Sequence, residues 1–307
     1  MTHAISPEFM DDLDTGILAG LTEKVRKDDT LMLALRGKYI NVYYRGGSIL
    51  RLTRQNGKYA AWFDKDYTGG QEQIEFPKTI SSAEHCAEWL AALPALKEAM
   101  NEHFARNRKS EREFQQLVAW ENNRSLIAND TEYFITDIEF ADVEQKTRLD
   151  MLGLKWLSKD HKNETACRPV FIEMKYGINA YDGESGIVGH INHLRKILGD
   201  EAKCEKLNTI ISDQFAQLKK LELVTFNEHA HYKRAVVSGK PEVVLVLANH
   251  NPRSKKLLKI ISEIEEPKDF DLRFFTSSFA GYGMHDACML DLTRFKALLE
   301  QFAGDRP

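Results

Sequence analysis

Arg148-Leu149-Asp150-Met151, followed on the next apolar run by Ile172-Glu173-Met174-Lys175-Tyr176-Gly177, sets charge where buried strands normally carry none. The two runs are Leu149–Trp156 and Val170–Met174. In the second, Val170, Ile172 and Met174 alternate with Phe171, Glu173 and Lys175. Strand side chains point to opposite faces with a period of two, so Glu173 and Lys175 share a face. A carboxylate and an ammonium set into such a run are costly unless paired, liganded or catalytic. Asp150 opens the first run in the same manner. One reading is bland: an ion pair on a half-exposed strand, beside an acid that merely starts its neighbour. The other is chemical. Two acids and a lysine on adjoining strands can hold a divalent cation through oxygen ligands, leaving the lysine to order a water or stabilise charge on phosphate.

The constellation resembles the PD-(D/E)xK nuclease superfamily, whose signature is an acid, a short interval and then Asp/Glu-x-Lys on the next strand. Leu149 stands where that signature has its proline; no ligand is lost by the change. The resemblance implies an α/β (mixed α+β) fold with a restriction-endonuclease-like αβββαβ core over roughly residues 110–250. It further implies a metal-dependent DNA endonuclease of bacterial defence or restriction type. Asp150, Glu173 and the backbone carbonyl of Met174 would hold Mg²⁺, with Mn²⁺ as substitute, and Lys175 would act on water or phosphate. The superfamily often adds an acid from the helix before its first strand, a place that Glu113 and Glu121 both fit. Its next helix commonly presents a polar residue to the phosphate, a place that His190 fits, with His193 and Arg195 behind it. A homodimer or a defence-system partner protein is a further implication. A nuclease-fold subunit that binds DNA or assembles without cutting is the rival, and the residues do not separate DNA from RNA.

Element order outward from the motif agrees with that core. A helix is expected over Ser110–Ala128, with Phe114, Leu117, Val118 and Glu121 on one face. Strands follow at Thr131–Phe140, Leu149–Trp156 and Val170–Tyr176, then a helix from Gly186 and another over Glu201–Leu221. Val243–Ala248 reads as a buried strand. Ser254–Glu265 reads as a helix, Leu272–Ser277 as a strand and Leu292–Phe302 as a closing helix. Asp137 and Glu139 share a strand face near Asp150, as outer acids of the site or as a plain polar face.

The first hundred residues lie outside the resemblance. A polar helix is expected over residues 1–28, starting at Pro7. Leu31–Leu35, Tyr39–Tyr44, Ser48–Leu52 and Tyr59–Phe63 then alternate as strands, separated by Gly37, Gly46-Gly47 and Asn56-Gly57, a strong hairpin signal. This antiparallel meander carries Arg36, Lys38, Arg45, Arg51, Arg54 and Lys58 among Tyr39, Tyr43 and Tyr44. Such a mixture suits nucleic acid, or a solvated outer face with tyrosines over the core. Ser81-Ser82-Ala83-Glu84 opens a helix to Asn107 that Pro94 kinks or divides. A basic run at Arg106–Ser110 marks the boundary between domains 1–107 and 108–307.

Composition narrows the classes. With 307 residues, 43% hydrophobic and 29% charged, the chain can build a sizeable core. A net charge of −4 excludes a uniformly basic nucleic-acid coat but not a local basic groove. Cys86, Cys167, Cys204 and Cys288 have no paired spacing, which reads as reduced thiols in a cytoplasm, and no run is apolar enough to span a bilayer. His229 and His231, Gly281-Tyr282-Gly283, and the lysines Lys255, Lys256 and Lys259 all read as solvated loop or surface.

Overall fold

The computed structural model describes residues 4–70, 74–124, 131–142, 147–161, 163–177, 181–183, 186–226, 234–249, 254–277, 286 and 289–304. The chain is a mixed α/β protein that divides into two compact units, Met1–Gln116 with Asp213–Thr225, and Leu117–Ser212 with Phe226–Pro307. These units do not divide at the expected 107/108. Gln116 donates to the carbonyls of Thr30 and Tyr43 and accepts from the Gly46 amide, which ties the following helix turn to the first unit. Residues 213–225 return to that unit because Gln214 donates to the Leu35 carbonyl, Gln217 bonds both backbone groups of Ile5, and Glu222 meets Arg26. Side-chain amides reading backbone across long sequence separations have no local signature.

In the first unit, two helices stand where one was expected, α1 (Pro7–Asp14) and α2 (Ala19–Lys27), α1 being capped by Ser6 Oγ. Strands β1 (Leu31–Arg36), β2 (Tyr39–Tyr44), β3 (Gly47–Gln55), β4 (Lys58–Trp62) and β5 (Thr79–Ile80) pair in that order, all antiparallel. Asn56 and Gly57 both have positive φ, 50° and 73°, the pair of conformations a two-residue turn of right-handed twist needs. The register aligns Leu35, Ile40, Leu52 and Ala61 in one buried row, while Arg51 falls on the other face beside Asn41 and Trp62. Helix α3 (Ala83–Arg106), capped by Ser82, runs unbroken through Pro94 and buries Trp89, Leu93, Leu96 and Met100.

Asp28 ends α2 and ties it to its surroundings: one oxygen accepts from Lys97 Nζ at 2.7 Å and lies 3.0 Å from Lys24, the other accepts from Thr30 Oγ1. Burial opposes the charged form, but these bonds outweigh it and hold the carboxyl well below the usual carboxylate range. A depressed folded pKa gives stability that is present above the unfolded value, near 3.9, and lost as pH falls through the folded one. Asp28→Asn is therefore expected to cost about 2 kcal/mol at pH 7, with the deficit shrinking progressively below about pH 4. Urea unfolding at pH 7 and in acid checks this; a deficit of the same size at both would remove charge from the explanation.

The second unit is built on a sheet of order β10-β9-β8-β7-β6. Its strands are β6 (Tyr133–Asp142), β7 (Thr147–Lys155), β8 (Arg168–Tyr176), β9 (Glu242–Ala248) and β10 (Asp271–Ser277). The first three are antiparallel neighbours, and β9 and β10 add in parallel to β8. Helix α4 (Ser110–Asn123) precedes β6; α5 (Ile187–Leu198) and α6 (Glu201–Lys220) follow β8; α7 (Lys255–Ser262) joins β9 to β10, and α8 (Leu292–Gly304) closes the chain. The fully buried Val243–Ala248 run has a strand on each side, as its apolar character requires. Gly153 permits close approach of β6, since a Cβ there would lie 2.3 Å from the Phe134 carbonyl oxygen. Among the described residues, no helix is long and apolar enough to cross a membrane.

Candidate functional site

β7 pairs with β8 from Met151↔Ile172 to Lys155↔Arg168, and there the ladder stops short of Asp150. Leu152 opposes Phe171, so by alternation Asp150 lies on the same side of the sheet as Glu173 and Lys175. In place of the missing rung, the Met174 amide donates to Asp150 Oδ2 at 2.9 Å. The N–H and C=O of one strand residue point to the same strand edge, so the Met174 carbonyl is directed to the edge that Asp150 occupies. Glu173 and Lys175 are 1% and 3% exposed.

Helix α5 begins at the Gly186 N-cap and buries Ile187, Ile191, Leu194 and Leu198, which leaves His190 on the flank. His190 Nδ1 lies 2.5 Å from Glu173 Oε2, and Lys175 Nζ lies 3.4 Å from its Nε2. One proton on Nδ1 suits both contacts, a donor toward the carboxylate and a lone pair toward the ammonium. The approach to Glu173 is short but poorly aligned as a hydrogen bond, so that buried oxygen lacks a well-directed donor. The Glu173 contact pushes His190 up from its ordinary pKa against its burial. Burial, and next the Glu173 charge, push Asp150 up to about 7, against the Met174 amide, Lys175 and His190. A cavity of about 260 Å³ opens over this group, lined by Glu139, Arg148, Leu149, Asp150, Glu173, Gly189, His190 and His193. His193 is lowered by burial and next by the neighbouring His190.

Of the expected site residues, Asp150, Glu173, Lys175 and His190 come together, with Met174 bonded to Asp150. The helix acids do not join them. Glu113 belongs to the first unit, where Arg45 Nε donates to it at 2.8 Å. Glu121 is half-buried on α4 and is not among the residues around the cavity. Of the face expected on α4, Phe114 and Val118 are buried but Leu117 is 37% exposed, and the buried side runs through Phe114, Gln115, Val118, Ala119 and Asn122. Polar residues take that side because they have backbone to serve. Asn122 bonds the Val118 carbonyl and Thr131, and Asn123 both donates to and accepts from Ile135 where β6 shifts register. The acid that does reach the cavity is Glu139, whose φ of 52° bends β6 opposite Asp150, between the rungs Ile138↔Met151 and Phe140↔Leu149. Its charge was visible in the sequence; the left-handed backbone that re-aims it was not. Asp137, fully buried, accepts the Ile138 amide. His229, His231, Cys288 and Gly281-Tyr282-Gly283 lie outside the described residues.

The donor set fits a hard divalent cation. Asp150 and Glu173 offer carboxylate oxygens, one of them buried without an aligned donor, and Met174 offers a carbonyl at the same edge. Among the described residues no group of three or more His, Cys, Asp or Glu forms a self-contained metal shell. Magnesium sites built on one or two carboxylates are completed by water and substrate phosphate instead. Comparison with known proteins returns no match, whether to a family model, a curated protein or a solved structure.

Proposed function

We propose that the chain is a metal-dependent nuclease of the PD-(D/E)xK type, hydrolysing phosphodiester bonds in DNA. The observation that carries the reading is the meeting of Asp150, Glu173 and Lys175 on one face of the sheet beside His190, with Asp150, Glu173 and His190 lining a cavity. A helix followed by an antiparallel β6-β7-β8 and a parallel β9 agrees with the core this resemblance implies. A bound Mg²⁺ or Mn²⁺ ion would supply Lewis-acid polarisation of the phosphate and a water of lowered pKa.

The chain's own residues do the rest. Asp150 and Glu173 provide negative oxygen, and the Met174 amide fixes the Asp150 rotamer. Lys175, held from water, offers a fixed positive charge to the negative charge that grows on phosphate during attack. His190 orients both Glu173 and Lys175 through its two ring nitrogens. The His190–Glu173 contact also gives the second reading its footing: a chain that keeps this pair closed would bind or assemble without cutting.

Supercoiled plasmid, linear duplex, single-stranded DNA and RNA, each with Mg²⁺, Mn²⁺ or chelator, test the proposal. Cutting should require the cation and fall by about 10²–10³ in Lys175→Ala. Absence of cutting together with absence of Mn²⁺ binding by calorimetry would overturn it. Mn²⁺ binding that depends on Asp150, without cutting, would select the second reading.

A further inference from the structure

The sheet of the first unit carries an unusual face. From Leu31 to Phe63 the chain holds six Lys or Arg residues and no Asp or Glu. Of these, Arg45 pairs with Glu113, Arg54 lies 4.0 Å from Glu8 and Arg36 lies over the Tyr43 ring. On the face opposite the apolar row, the Arg51 guanidinium lies over two rings at once, 5.0 Å from the centroid of Tyr39 and 5.2 Å from that of Trp62. Asn41 Oδ1 accepts from Arg51 Nε at 3.2 Å and fixes the arrangement. Trp62 is nonetheless 44% exposed, although a large ring on a strand ordinarily turns to the core. Lys58 and Lys38 are both exposed, and both lie at the end of the sheet where the β1–β2 and β3–β4 turns fall. Lys58 is four residues from Trp62 on one strand, about 13 Å away.

We propose that this face holds single-stranded nucleic acid, with unpaired bases stacking at Trp62 and Tyr39 and phosphates reaching Lys38 and Lys58. The occupant follows from its chemistry. An acid-free meander with exposed lysines selects a polyanion, and an exposed indole and a half-buried phenol beside a guanidinium select flat π-systems. A duplex offers the first and conceals the second inside its stack; a single strand offers both. Arg51, already held between the rings, keeps them preorganised, so little ordering cost remains at binding. The inference does not require the second unit to cut anything.

The test uses the full-length chain carrying Asp150→Asn, with chelator present, so that no probe is consumed. Fluorescence anisotropy compares a short labelled oligothymidylate, the matching oligouridylate and a duplex of equal length. The single strands should bind more tightly than the duplex, and Trp62→Ala and Arg51→Ala should each weaken them by about tenfold or more. Lys58→Ala should reduce the slope of log affinity against log salt by about 0.7. Unchanged unfolding midpoints confirm that these surface variants are folded. Unaltered single-strand affinity in Trp62→Ala, equal affinity for duplex through Trp62, or a change only in self-association would overturn the proposal. Since no divalent metal ion takes part, a negative result on plasmid cutting leaves this binding result standing, and the reverse holds too.

Discussion

Asp150→Asn is expected to abolish phosphodiester cleavage and, without divalent cation, to make the protein more stable than the native chain at pH 8. On the proposed reading, loss of a carboxylate ligand would remove several kcal/mol of transition-state stabilisation, a rate loss of about a thousandfold or more. The stability gain has a separate origin. Burial and the adjacent Glu173 push Asp150 up to about 7, so the folded state resists the charged form that the unfolded chain takes up near pH 4. A raised folded pKa means stability that is complete below the unfolded value and lost as pH rises through the folded one. The neutral amide avoids that loss, and its oxygen can still accept from the Met174 amide, so no buried donor is orphaned. The expected gain at pH 8 is about 2 kcal/mol, roughly half of full linkage because Glu173 shares the repulsion, and it vanishes near pH 4. Added Mn²⁺ should raise the melting temperature of the native chain and leave that of Asp150→Asn where it was. Thermal melts at pH 4 and pH 8, with and without Mn²⁺, decide the matter. A variant no more stable than the native chain at pH 8, and equally responsive to Mn²⁺, would show that Asp150 is neither strained nor a ligand.

Much of this was legible from residue order because local periodicity governs it. Alternation in Val170–Tyr176 placed Glu173 and Lys175 on one face, and the apolar run at Val243–Ala248 required strands on both sides. Asn56-Gly57 gave its hairpin, and Ser82 and Ser254 cap α3 and α7. What could not be read depends on partners far along the chain. Glu113 looked like a metal acid on a helix face until Arg45 claimed it, and Leu117 looked apolar and inward until Asn122 and Asn123 took the buried side of α4 for their backbone bonds. The return of residues 213–225 to the first unit rests on Gln214 and Gln217, whose identities carry no spacing rule. Glu139 reaches the cavity through a left-handed backbone that glutamate rarely adopts, a choice made by the fold and not by propensity.

Lys155 shows what the same run of sequence does when its charge serves structure alone, and its replacement should be the most damaging to stability. It interrupts Leu149–Trp156 just as Asp150 does, but alternation turns it to the opposite face, at the far end of the β7–β8 ladder. There Nζ donates to Glu242 at 3.1 Å and to Asp286, and lies over the Tyr133 ring. Glu242 is fully buried and takes a second bond from the Tyr133 hydroxyl at 2.6 Å. Burial and then the Glu242 charge drive that hydroxyl far above its ordinary pKa, so it remains a donor at any working pH. Lys155→Met keeps the stem volume but leaves a buried carboxylate with one neutral donor in place of a cation, at an expected cost of about 3–5 kcal/mol. Lys155→Met with Glu242→Gln removes both charges while Tyr133 can still donate to the amide oxygen, and most of the loss should return. Denaturant unfolding of the four proteins of this cycle gives the coupling directly. A single variant within about 1 kcal/mol of the native chain would mean that water already serves Glu242. Below its melting temperature Lys155→Met should cut DNA at the native rate, because the cluster touches neither Asp150 nor Glu173; a lost rate in a folded Lys155→Met protein would tie the two faces of the sheet together and overturn that separation.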